Sequence, residues 1–201
     1  MRKLNFVLVL VLLLVVLLSV GPGAVLAQDP QPPDAPTPTE PTIVETTRLE
    51  WVETEDGKRQ LVPVSSIESM QTVSIPSSSL QKSDASPLSR ATITMWRALE
   101  WSSFPGDRVW VHAGGSTSTD VVAEKLYIWI DHFYRTPGHS WHGVGSNWKQ
   151  KENTTTTGEC WTGSTLFSNG FEHAAQGDHQ AKISGQWYIY NDQWGPQRII
   201  P

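Results

Sequence analysis

Four histidines in the C-terminal third, His139, His142, His173 and His179, are the first residues whose type invites chemistry. Neutral imidazole is the commonest protein metal ligand, and with Asp178 or Glu172 such a set would make a zinc-type site. The spacing resists this. On a strand, positions three apart face opposite ways, so His139 and His142 could share an ion only from a loop. His173 and His179 share a face, but six residues at ~3.3 Å each hold them about 20 Å apart unless the chain turns at Gly177. The spacing matches none of the zinc motifs, and surface or hydrogen-bonded histidines are the plainer reading of these four candidate ligands.

Cys160 is the single cysteine, followed by Trp161. Papain-like peptidases place a catalytic His and Asn ~130–150 residues beyond a Cys-Trp neighbourhood, whereas here only 41 residues follow. A Cys160 pair with His173 or His179 would be nucleophilic in a smaller fold; the alternative is a small buried apolar residue. The run Gly114-Gly115-Ser116-Thr117-Ser118-Thr119 lacks the Lys and the spacing of a phosphate loop and reads as a turn between two strands. No residue is assigned as catalytic, and no cofactor is expected.

Tryptophan is the compositional anomaly, with ten Trp against four Tyr and five Phe. Aromatic rings either fill cores or form exposed platforms for glycans and proteins. Trp129 and its neighbours in a long apolar strand are expected to be covered on both sides. Trp141, Trp148 and Trp194, set among Gly, Ser, Asn and Gln, are the better platform candidates, with Tyr188 and Tyr190 as further candidate ligand-binding rings.

The elements that must position these residues follow an N-terminal address. Arg2 and Lys3 precede an apolar run from Leu4 to Val20, then Gly21-Pro22-Gly23 and the small-residue stretch ending at Ala27. This order is that of a signal peptide over residues 1–27 cut after Ala27, with an uncleaved anchor as the alternative reading. The chain is therefore expected outside the cytoplasm, secreted or membrane-tethered, with membrane contact only through residues 4–20 if they are retained. The formal charge of −5 becomes −7 once Arg2 and Lys3 are removed. An acidic chain without a basic run repels phosphate backbones, which argues against nucleic acid as partner.

Residues 28–45 are rich in Pro and Thr and read as an extended spacer. Asp56-Gly57 between alternating apolar runs signals a β-hairpin over 46–64. Residues 65–90, rich in Ser, read as a second linker, so that the folded domain is expected over 91–201. Strand patterns occupy 91–95, 108–112, 140–149, 160–167 and 186–190. Residues 121–134 fit a helical or a strand period, and Tyr127-Ile128-Trp129-Ile130 favours strand. The expected fold is all-β, an antiparallel sandwich or barrel-like domain.

Val109-Trp110-Val111, the Gly-Ser-Thr run, Glu124-Lys125-Leu126-Tyr127-Ile128 and Gly177-Asp178-His179-Gln180-Ala181 together resemble small exported bacterial β-sandwich proteins of unassigned activity. The resemblance covers about half the chain; it implies the fold class and supplies no catalytic residues. The leading functional expectation is a non-enzymatic domain at the cell envelope or outside the cell that binds a cell-wall glycan or a protein through Trp and Tyr. A secreted hydrolase, using the histidines with a metal or Cys160, is the alternative. A secreted toxin or bacteriocin with residues 28–90 as pro-region is another.

Overall fold

The computed structural model describes residues 36–53, 57–76, 90–104 and 107–201. The expected signal segment, residues 1–27, and residues 28–35 of the expected spacer lie outside these. Among the described residues the protein is all-β, with nine strands and no helix. The strands are β1 (Thr42–Glu53), β2 (Arg59–Pro76), β3 (Arg90–Phe104), β4 (Arg108–Arg135), β5 (His142–Thr156), β6 (Cys160–Trp161), β7 (Thr165–Ser168), β8 (Glu172–Ile183) and β9 (Gln186–Ile199). They form one antiparallel sheet in the order β1-β2-β3-β4-β8-β9, with β5, β6 and β7 also paired to β4. The sheet curls into a half-barrel that brings β3 opposite β8 and β9. A single curled sheet stands in place of the two facing sheets of a sandwich.

β4 explains the curl. Its 28 residues far exceed the usual ~3–10 of a strand. Its first half pairs with β3, β6 and β7, and its second half with β5 and β8. Odd-numbered residues from Val109 to Thr119 face the interior, whereas Leu126, Ile128, Ile130 and His132 do so beyond it. A change of parity turns every later side chain to the other face, and the pairing with β5 is irregular between Ser118 and Ala123. One strand thereby supplies the floor of both halves of the sheet.

Three expectations change here. The Gly-Ser-Thr run is no turn: residues 114–119 lie inside β4. Trp161 covers Gly114, where a Cβ would stand 2.5 Å from its ring, and the Ile128 and Ile130 side chains crowd Gly115. The Ser-rich linker also divides differently. Residues 65–76 continue β2 and residues 77–89 lie outside the described ones, so β1, β2 and β3 are consecutive strands of the one sheet. The serines are tolerated because their hydroxyls pair across the strands, Thr46 with Ser66 at 2.7 Å and Thr47 with Ser65 at 3.0 Å. The spacer likewise ends early: β1 starts at Thr42, and Thr39 already donates its backbone N–H to Thr72.

The interior contains two apolar clusters. One gathers around Ile93, Met95, Leu126 and Tyr188, the other around Leu99, Val111, Ile128 and Ile200. Arg97, Thr117 and His179, all buried, belong to neither.

Candidate functional site

On β4, the residues alternating with Ile128, Ile130 and His132 point outward: Tyr127, Trp129, Asp131 and Phe133. Trp148 of β5 lies directly across from Trp129, 55% exposed, and stacks on Tyr127 with centroids 6.2 Å apart at 28°. At the other end, Phe133 meets Trp194 of β9 at 5.4 Å, and Trp194 meets Trp141 at 5.7 Å. The Arg135 guanidinium sits 4.2 Å from the Trp141 centroid while its Nε donates to Glu172 at 2.7 Å. A cation over an indole face, held by a carboxylate, fixes that ring's orientation.

Polar groups are interleaved with these rings. Trp129 Nε1 donates to Asp131 Oδ1 at 2.9 Å, Gln176 Nε2 donates to Asp192 Oδ1 at 2.9 Å, and the Asp192 N–H donates to Asp178 Oδ1 at 2.7 Å. Burial raises the Asp131 carboxyl pKa, opposed by the Trp129 bond and aided by the charges of Asp178 and Asp192. Burial likewise raises Asp178. The face thus offers flat apolar rings with carboxylate and amide groups between them, a surface suited to ligands that carry both apolar faces and hydroxyls.

Trp141, Trp148 and Trp194 all lie on this outer surface. Tyr188 and Tyr190 do not: both rings turn into the core, because β9 directs these positions at Leu126 and Ile93. Tyr190 donates to the Pro36 carbonyl at 3.2 Å, and burial pushes its pKa up to about 12.

The four histidines are dispersed. His139 sits in the exposed turn before β5, and His142 is exposed with its ring 5.5 Å from Tyr134. His173 is buried against His132, Nδ1 to Nε2 at 3.1 Å, and His179 is buried against Thr117 at 3.0 Å. Among the described residues no group of three His, Cys, Asp or Glu could hold a metal ion. The extended course of β8 keeps His173 and His179 apart, with Ala175 and Gly177 between them on the same buried face. Cys160 packs in the second apolar cluster, where burial raises its thiol pKa and keeps it protonated.

A constellation with no sequence signal lies on the outer face of β3 and β4. Ser164 Oγ is 2.9 Å from His112 Nδ1, and His112 Nε2 is 3.1 Å from Glu100 Oε1. Arg48 Nη2 donates to the other oxygen of Glu100 at 2.6 Å. The His112 bond, then Arg48, hold the Glu100 carboxyl below its usual range against the effect of burial. A carboxylate accepts from Nε2–H, which leaves the Nδ1 lone pair facing the Ser164 hydroxyl. This is the polarity by which a histidine removes a proton from serine. Trp161 flanks the imidazole at 4.8 Å.

No protein-family model and no curated protein matches this chain.

Proposed function

We propose that this protein is a non-enzymatic binding domain working outside the cytoplasm, secreted or membrane-tethered, which holds a cell-envelope glycan on the outer aromatic face of β4, β5, β8 and β9. The observation that carries this reading is the ring row Phe133–Trp194–Trp141, with Trp148 and Tyr127 on the same face and Asp131, Asp178 and Asp192 between. Exposed indoles at these densities are costly to leave in water unless something covers them, and rings of this kind dominate binding energy where they occur. A polymer chain would lay its apolar faces on the indoles and donate its hydroxyls to the carboxylates. Tryptophan emission of the full chain, titrated with soluble cell-wall glycan fragments, should be quenched with saturation. Trp148→Ala and Trp194→Ala should each weaken binding by about tenfold or more, the loss of one well-packed contact. Unchanged affinity in the double variant, with native circular dichroism, would refute the platform.

A second reading rests on the Ser164–His112–Glu100 arrangement, which favours an acyl hydrolase. Ser164 Oγ would attack an ester carbon as His112 takes the proton; the alcohol would leave with that proton, and water would free the acyl group. The test is turnover of 4-nitrophenyl acetate: Ser164→Ala and His112→Gln should each lower the rate by about 10²–10⁴-fold. Equal turnover by wild type and Ser164→Ala would dismiss it, and would leave the glycan titration untouched.

A further inference from the structure

β1 and β9 are the two ends of the sheet order, and no strand pairing joins them. The curl still brings β9 against β2, and Arg198 Nη1 reaches over to donate to Glu45 Oε1 of β1 at 3.2 Å. At this seam an open cleft of about 300 Å³ remains, bordered by Glu45, Thr47, Ser65, Trp101, Arg198 and Pro201. Glu45, Thr47 and Arg198 are exposed, so solvent reaches it directly. The volume lies at the lower end of the ~300–1,000 Å³ of ligand clefts, which is room for one small ring.

The strand register builds the lining. Thr47 pairs with Ser65 and Ser65 with Trp101, so the three stand in line across β1, β2 and β3, and Glu45, two positions from Thr47, shares their face. At the next level of that face Ile67 and Leu99 are buried and apolar. The cleft interrupts this with two hydroxyls and a carboxylate. Thr47 Oγ1 and Ser65 Oγ are 3.0 Å apart; one donates to the other, which leaves one O–H hydrogen and several lone pairs for a third group. Arg198 can only donate and the Glu45 carboxylate can only accept. Their charges cancel, so a charged ligand would leave one of them uncompensated. The pair is also exposed and hence weak, which lets both groups be shared with a ligand. Trp101, partly buried, packs on the second apolar cluster and adds a flat apolar wall.

We propose that the cleft at the seam of the curled sheet binds a single neutral sugar ring. The ring would lay its C–H face on Trp101, accept from Arg198 and donate to Glu45 through neighbouring hydroxyls, and meet Thr47 and Ser65 with a third. The same chemistry serves a free monosaccharide or the end ring of a glycan. The cleft draws on the concave face of β1, β2 and β3, so it does not depend on the outer aromatic face.

The test is calorimetric titration of the full chain with glucose, galactose, mannose and N-acetylglucosamine, and with the methyl glycoside of each. At least one should bind with saturation at a dissociation constant on the order of 1 mM, as a ligand of so few atoms would. A free sugar that binds while its methyl glycoside does not marks a monosaccharide site, and binding of both marks a site open to a glycan end; either upholds the proposal. Sorbitol, which has hydroxyls but no ring face, and glucuronate, which adds a charge, should bind several-fold more weakly. Glu45→Ala and Arg198→Ala, both at exposed positions, should each weaken binding by about tenfold with unchanged circular dichroism, the loss of a charged hydrogen-bond partner. Trp101→Leu should abolish it; if that variant does not fold, the two surface variants decide. The proposal is overturned if none of the sugars saturates, if sorbitol or glucuronate equals the best of them, or if both surface variants bind undiminished. Loss of sugar binding in the Trp148→Ala, Trp194→Ala double variant, with the Glu45 and Arg198 variants unaffected, would move the sugar to the outer face and also overturn it.

Discussion

The folded protein is expected to lose stability steeply as pH falls from about 6.5, and to unfold at a midpoint between pH 4 and 6. Three fully buried histidines set this window. Burial lowers His132 to about 3 and His173 to about 4, and holds His179 well below 6.5. In the unfolded chain each titrates near 6.5, so between that value and the folded pKa the unfolded state binds more protons. Stability is then fully present above pH 6.5 and drains away below it, at up to about 1.4 kcal/mol per pH unit for each histidine. Three together approach ~4 kcal/mol per unit, against a total stability of ~5–15 kcal/mol for a domain. Glu100, lowered by its bonds to His112 and Arg48, adds to the loss at the acid end. Asp131 and Asp178, raised by burial, act oppositely: their protonation favours the native state and partly offsets it.

The measurement is circular dichroism or tryptophan emission followed across pH 3–8, reversed to show recovery. Replacing His132 and His173 together by Phe and Leu removes both ring nitrogens at once, and so leaves no orphaned partner of their 3.1 Å bond. Phe167, 5.8 Å from one ring and 4.7 Å from the other, offers an apolar surround. The double variant should show a shallower acid limb and a midpoint shifted down by about half a unit or more. A wild-type midpoint below pH 4, or an unaltered limb in the variant, contradicts the assignment.

Gly195→Ala should be among the most damaging single-methyl additions. Its Cβ would stand 2.9 Å from the Arg97 Cβ and 3.2 Å from the Ala175 carbonyl oxygen, neither of which a rotamer change can move. β9 would have to back away from β3, at about 1–3 kcal/mol. For a domain of this size that lowers the melting temperature by roughly 3–12 °C. Gly177→Ala should cost less, since its nearest contact, His179 Nε2 at 2.7 Å, can swing aside by giving up the Thr117 bond. Gly145→Ala on β5, with nothing within 4 Å of its Cβ, is the control and should stay within about 1 °C of wild type. Melting temperatures for the three, taken at one pH above 7, order the effects; Gly195→Ala indistinguishable from Gly145→Ala would show that β3 and β9 do not meet at Arg97.

The strand patterns at 91–95, 108–112 and 186–190 were legible because β-branched and aromatic residues alternate there, and Tyr127-Ile128-Trp129-Ile130 favoured strand over helix on the same ground. The continuity of β4 was not. Gly114 and Gly115 carry turn chemistry in one dimension, and only Trp161, 47 positions away, and the Ile128 and Ile130 side chains explain why two glycines sit inside a strand. The serines of β2 carry a linker's composition in one dimension, because their hydroxyl partners, Thr46 and Thr47, belong to another strand. Trp148 and Trp194 could be picked out by their polar surroundings. The inward turn of Tyr188 and Tyr190 could not, because their alternation with Trp187 leaves either face apolar. Ser164, His112 and Glu100 meet only through the pairing of β4 with β3 and β7, and no spacing encodes that.

β4 also dictates an order of assembly. A chain emerging from its N-terminus can zip β1 to β2, β2 to β3 and β3 to the first half of β4, each step joining neighbours in sequence. The second half must wait: Lys125 pairs with Lys182, and Ile128 with His179, more than 50 positions later. During that interval Leu126, Ile128 and Ile130 have β5 beside them but no β8 to complete the wall, and Ile200 is still to come. Long-range closure of this kind is slow and leaves apolar surface open to wrong partners. The nascent protein is thus a half-zipped sheet whose vulnerable moment ends when β8 and β9 arrive.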